Sequence, residues 1–161
     1  METTTPVRPA GQQQRLRRVS LGAGPAAAGQ ARAEVREAIL AWDLPVDASV
    51  AVLLTSELVT NAIRHEPGEA IVLDIGCARG ELRVDVHDTS HAMPALVNAL
   101  ADAETGRGLM LVASLSDDWG CYRTRAGKAV YFELALEADA GEDDRCRAPD
   151  RDGRVNRKVP G

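Results

Sequence analysis

Glu57-Leu58-Val59-Thr60-Asn61-Ala62-Ile63-Arg64-His65 is the stretch that decides how this chain folds. On a helix, side chains at i, i+4 and i+7/i+8 share a face, so Glu57, Asn61 and the Arg64/His65 pair form one polar stripe. Leu54, Leu58, Ala62 and Ile63 supply apolar contacts behind it at helical spacing. A carboxylate and a carboxamide one turn apart suit a phosphate site. The amide oxygen is a hard ligand for magnesium, and the carboxylate can orient or deprotonate a nucleophile. Taken alone, the same stripe is also what an ordinary solvated helix face looks like. The surrounding chain separates the two.

The 161 residues suit one domain with ragged ends. Residues 1–14 are rich in Thr, Pro, Gln and Gly, and residues 137–161 in mixed charge, Gly and Pro. Neither can bury enough apolar surface to offset chain entropy, so both are expected to be disordered, leaving a domain over 15–136. The formal charge of −5, with no basic stripe interleaved with aromatics, argues against direct nucleic-acid binding. No apolar run approaches the roughly 18 residues needed to cross a bilayer, and no signal-peptide block opens the chain. A cytoplasmic protein without a membrane partner is expected. Cys77, Cys121 and Cys146 have neither zinc nor redox spacing. His65, His87 and His91 likewise form no zinc motif.

Arg15–Leu21 reads as a short edge strand with Leu16, Val19 and Leu21 as its apolar members, its basic residues discouraging further pairing. A helix is predicted over 26–42, with Ala31, Val35, Ala38, Ile39 and Trp42 on one face. Asp47 has the chemistry of an N-cap for the long helix that carries Glu57 and Asn61. Pro67-Gly68 closes that helix. Runs 70–77 and 81–88 read as a tight antiparallel hairpin around Ala78-Arg79-Gly80, with Leu82, Val84 and Val86 alternating against Arg83, Asp85 and His87. Residues 89–105 form a long connection of the kind that serves as a lid. Gly106-Arg107-Gly108 leads into a short helix over 109–115, whose first-turn amides suit an anion. Strands over 119–123 and 129–136 end the domain, with Val130, Phe132 and Leu134 alternating.

Helix, long helix with Glu-x-x-x-Asn, hairpin ending in Asp88, lid, Gly-x-Gly-Leu and two closing strands: this order resembles the Bergerat ATP-binding fold of gyrase, Hsp90, histidine kinases and MutL. Length and wording look most similar to the small bacterial anti-sigma-factor serine kinases and the related stand-alone regulatory ATPases. Residues 57–65 look like that group's N box, Thr105-Gly106-Arg107-Gly108-Leu109 like its second glycine box, and Trp119-Gly120 with Val130-Tyr131-Phe132-Glu133-Leu134 like its closing strands. The resemblance implies an α+β two-layer sandwich, with a mixed, mainly antiparallel sheet covered on one face by helices. It implies ATP and Mg2+ as cofactors, Asn61 as the magnesium ligand and Glu57 as the general base. Asp88 would accept from the adenine amine, and His65 would lie near the phosphates. Gly106, Arg107, Gly108 and Leu109 would bring backbone to the phosphates. Expected partners are a sigma factor and an anti-sigma antagonist, with a homodimer implied.

Two departures stand out. The first glycine box, ordinarily Asp-x-Gly-x-Gly, reads Asp88-Thr89-Ser90-His91-Ala92, and Lys128-Ala129 replaces the family's closing Thr. Gly127-Lys128 invites a P-loop reading, but Ala129 stands where Ser or Thr is required and Gly120 is too far upstream. No His-Arg-Asp or Asp-Phe-Gly motif of a eukaryotic-type kinase occurs. The eroded first box keeps a second function open beside the kinase: a nucleotide-gated binding module that transfers no phosphate.

Overall fold

The computed structural model describes residues 14–91 and 106–137, which form five strands and three helices. Expectations for 1–13, for 138–161 and for most of the lid, 92–105, lie outside the described residues. In chain order the elements are β1 (Arg15–Leu21), α1 (Ala26–Ala41), α2 (Ala48–His65), β2 (Ile71–Ala78), β3 (Glu81–Asp88), α3 (Gly106–Leu115), β4 (Asp118–Arg123) and β5 (Lys128–Ala135). The sheet runs β1-β2-β3-β5-β4. All of its pairings are antiparallel, so the expected mainly antiparallel sheet is wholly so among the described residues.

Local chemistry sets the element ends. Asp47 caps α2: its Oδ1 accepts from the amides of Ser49 at 2.9 Å and Val50 at 3.3 Å. Such a cap contributes about 1 kcal/mol. Arg64 and His65 occupy the last turn of α2, where the helix dipole favours positive charge. The β2–β3 hairpin turns on Arg79 and Gly80, with φ of 56° and 76°, the paired left-handed geometry that matches strand twist. Leu136 N donates to Gly80 O and Glu137 N to Pro45 O, which fastens the last described residues to the body of the domain.

Apolar periodicity then builds two layers. Ala27, Ala31, Val35, Ala38 and Ile39 of α1 and Ala51, Leu54, Leu58, Val59 and Ala62 of α2 are buried against Leu73, Ile75, Leu82, Val84, Val86, Val130, Phe132 and Leu134 of the sheet. Trp42 and Trp119 pack on the rim of this core, and Cys77 is buried as a small strand hydrophobe. The expected apolar set of β1 needs one correction: Leu16 is 70% exposed. Strand period two sets Leu16 with Arg18 and Ser20 on the face away from the helices. Val19 and Leu21 share the inner side with Arg17, whose Nη1 reaches Glu34 at 3.3 Å and Glu37 at 3.7 Å on α1.

The sheet face away from the helices is closed by its own polar side chains. Arg83 pairs with Asp85 and Glu133, at 2.9 Å to each, and its guanidinium lies 3.8 Å over the Tyr131 ring. Tyr122 donates to Asp85 at 2.9 Å, and His87 Nε2 stands 3.0 Å from Asp74. Burial, then the Asp85 bond, pushes the Tyr122 phenol up to about 12. These ties give Asp85, only 8% exposed, its hydrogen-bond partners on a face without a covering helix.

Candidate functional site

Burial of Leu54, Leu58 and Ala62 fixes the rotation of α2 and leaves Glu57, Asn61 and His65 half-buried rather than fully solvated. Helix α3 packs on α2 so closely that Gly108 meets Glu57 directly. A Cβ added at Gly108 would stand 2.7 Å from Glu57 Oε2. A side chain at this position would push the end of Glu57 aside, so the glycine leaves the carboxylate its place against α3. Arg107 beside it is exposed, whereas the Leu109 side chain is buried in the core. Gly106 opens α3.

The other end of the stripe meets β3 and β5. Register places Asp88, the last residue of β3, opposite Lys128, the first of β5. Asp88 is 5% exposed and Lys128 1%, and the Lys128 ammonium stands 3.6 Å from Asp88 Oδ2. The same ammonium is 3.1 Å from His65 Nδ1. Asp88 Oδ1 accepts from the Ser90 amide at 2.9 Å. The chain leaving Asp88 runs directly over Gly127. A Cβ there would collide with the Asp88 carbonyl oxygen and come within 2.7 Å of Thr89 Cα.

Glu57 with Gly108, and His65 with Lys128 and Asp88, thus mark two ends of a strip along α2. Eight residues at about 1.5 Å rise make it about 12 Å long, with Asn61 midway, one turn from each end. The site residues of α2, β3 and α3 are therefore brought together. The resemblance sets His65 near the phosphates; the structure sets it beside Asp88 and Lys128.

Gly127, Lys128 and Ser90 adjoin Asp88, and Lys128 also His65; none of the three was assigned to the candidate site from the sequence. The signal was present in β5, where Lys128 shares the inward parity of Val130, Phe132 and Leu134. A charge in that register requires a buried partner. Gly127→Ala is expected to displace the Asp88–Thr89 backbone and to cost about 1–3 kcal/mol, as overpacking does. Chemical denaturation measures this, and unchanged stability would show that the close approach is not required.

His65 has its pKa lowered, first by burial and then by the Lys128 charge, with Asp88 and Glu66 pulling the other way. Nδ1 accepts from Lys128 only while the ring is neutral. Because the folded-state value is depressed, the stability this contact contributes is present above the ordinary value of 6.5 and is lost as pH falls through the folded pKa. Below pH 6.5 the wild type should therefore lose more stability with falling pH than His65→Gln does. Parallel stability curves would remove this role.

The residues fit a magnesium nucleotide. Among the described residues no group of three His, Cys, Asp or Glu stands ready to hold a metal ion. A half-buried carboxamide between a carboxylate and a backbone-exposing glycine is nevertheless enough for magnesium, which takes one or two protein ligands and completes its shell with phosphate and water. No described helix is long and apolar enough to cross a membrane.

Comparison with known proteins agrees with this geometry. The family model described as the histidine kinase-like ATPase domain matches residues 21–134, from the end of β1 almost to the end of β5. Among solved structures, the crystal structure of the RsbU and RsbW domains of Rv1364c from Mycobacterium tuberculosis superposes with a TM-score of 0.57 at 21% identity. That match covers 76% of this chain and 32% of the other, and is a likeness of fold. No curated protein matches the sequence. With the match spanning most of the chain and the strip of Glu57, Asn61 and Asp88 assembled as described, the chain belongs to the histidine kinase-like ATPase domain family of Bergerat-fold, ATP-binding proteins.

Proposed function

We propose that this protein is an ATP-dependent serine kinase and anti-sigma factor. It phosphorylates a small anti-sigma antagonist and sequesters a sigma factor, acting in the cytoplasm as a homodimer. The observation that carries this reading is Glu57 held against Gly108 with Asn61 on the next turn, because this places an acid–base group beside a backbone suited to phosphates. Support also comes from the wording of residues 57–65 and 105–109, which resembles the anti-sigma-factor kinases.

The roles follow from that placement. Asp88 accepts from the adenine amine, Asn61 offers its amide oxygen to magnesium, and the backbone at Gly106 and Gly108 approaches the phosphates. Magnesium, when bound, neutralises charge on the triphosphate. Glu57 takes the proton of the acceptor serine as its oxygen bonds to the γ-phosphorus and ADP departs. Positioning and electrostatics supply most of the catalysis, since phosphoryl transfer asks little covalent chemistry of the protein.

Partner proteins captured from the native host and incubated with this protein and labelled ATP should acquire serine phosphate. If the protein binds ATP and the captured partner yet transfers nothing, the kinase reading fails. The nucleotide-gated module then takes its place, with the Ser90 and Ala92 replacements in the first glycine box as the reason.

A further inference from the structure

The nucleotide site does not use the outer side of the α1–α2 helix pair. The short connection over 42–47 makes the two helices antiparallel neighbours, and Arg32 Nη1 donates to Ser56 Oγ across them at 2.8 Å. Opposite the buried residues of α1, helical spacing sets Arg32, Arg36 and Leu40 in one row at i, i+4 and i+8. On α2 the facing row is Ser49, Leu53, Ser56 and Thr60, none of them in the buried set of that helix. Leu40 is 74% exposed and Leu53 39%.

Charge is segregated around α1. Its two acids, Glu34 and Glu37, both reach Arg17 on β1. Its two bases lie on the other side, toward α2, where Arg32 meets a neutral hydroxyl. Among the described residues no carboxylate stands within ion-pair distance of Arg32 or Arg36. The facing row of α2 is uncharged. A chain of formal charge −5 therefore presents here a furrow that is positive and partly apolar. A single exposed leucine is ordinary surface. Two leucines bordered by two guanidiniums, with no acid among them, are the complement of a surface that is apolar and acidic.

A furrow between neighbouring helices is the shape that receives a third helix. We propose that the outer furrow of α1 and α2 docks an acidic amphipathic helix of the partner protein, its apolar side on Leu40 and Leu53 and its carboxylates on Arg32 and Arg36. The same furrow of a second copy is a poor occupant, because it would set guanidinium against guanidinium. The inference rests on the reading that this protein binds a partner protein, and not on phosphoryl transfer. It also seats the partner beside the candidate site, since Ser56 directly precedes Glu57 and Leu53 lies one turn before it.

The test uses the wild type, Leu40→Gln, Arg36→Glu and, on the sheet face away from the helices, Leu16→Gln. Protein captured from the native host on the immobilised wild type is purified and titrated calorimetrically against all four at two salt concentrations. Leu40→Gln should weaken the partner's binding by roughly tenfold, as loss of an apolar anchor does. Arg36→Glu should weaken it by a similar factor and reduce its salt dependence. Leu16→Gln should bind the partner as the wild type does, and all four should bind ATP equally. The altered side chains are exposed, so thermal melts of the variants should coincide with that of the wild type. Unchanged partner affinity in either furrow variant would overturn the proposal, and so would a loss in Leu16→Gln, which would seat the partner on the sheet. If Leu40→Gln alters self-association alone, the occupant is a second copy and the proposal falls. It falls equally if the wild type captures nothing that Leu40→Gln does not. The kinase reading fails separately, when a partner that binds in these titrations gains no serine phosphate.

Discussion

Alanine at Asn61 is expected to abolish magnesium-dependent ATP binding while leaving the domain folded. Asn61 is the carboxamide midway along the strip, half-buried between the Glu57–Gly108 contact and the His65–Lys128–Asp88 cluster. Removing its oxygen takes away a ligand that no cluster of described acidic residues can replace. Loss of a supporting partner alone costs about ten- to a hundredfold in metal affinity, so loss of the ligand itself should weaken magnesium-dependent binding by roughly a hundredfold or more. The helix does not suffer, because alanine is the best helix former and Asn61 is not among the buried core residues of α2. Calorimetry with and without magnesium, next to a thermal melt of the variant, measures both halves. Retained metal dependence in Asn61→Ala would move the ligand elsewhere.

The second large effect is kinetic. Glu57→Ala should slow phosphoryl transfer by about two to four orders of magnitude with ATP affinity nearly intact, because a general base acts mainly in the transition state. Glu57 also touches Gly108, so the alanine variant opens space at that contact. Glu57→Gln preserves the packing and removes only the basicity. If both variants are slow and both bind ATP normally, the carboxylate itself is responsible. If the glutamine variant is as fast as wild type, Glu57 serves only as a spacer between α2 and α3.

Much of this fold could be read from residue order because the relevant signals are local. Asp47 is followed by a helical apolar pattern, and its side chain does cap α2. Leu82, Val84 and Val86 alternate with polar residues, and they do form the buried side of β3. The bounds of β3 come out at Glu81–Asp88 as expected, with Asp88 at the strand end.

What escaped depends on pairing across the sequence. In β1, Leu16 reads with the apolar members and the basic residues only as guards of the edge. Leu16 is instead exposed, and Arg17 is drawn inward by Glu34 and Glu37 on a helix that local pattern does not place. Lys128 escaped for a similar reason: it reads as the end of the connection before the last strand, whereas the register with Asp88 and the approach of α2 bring His65 and a carboxylate to it. Gly127 looks like a plain turn glycine beside it. Its need for a bare Cα comes from the Asp88–Thr89 backbone, distant in sequence and in contact across the sheet.

Titration of the wild-type protein with ATP, in magnesium and then in excess chelator, tests most directly whether the strip from Gly108 to Asp88 is a nucleotide site. The account predicts binding in magnesium, marked weakening in chelator, and poorer binding of GTP than of ATP in the same buffer. Absence of ATP binding in magnesium, or binding that ignores both the metal and the base, would contradict it.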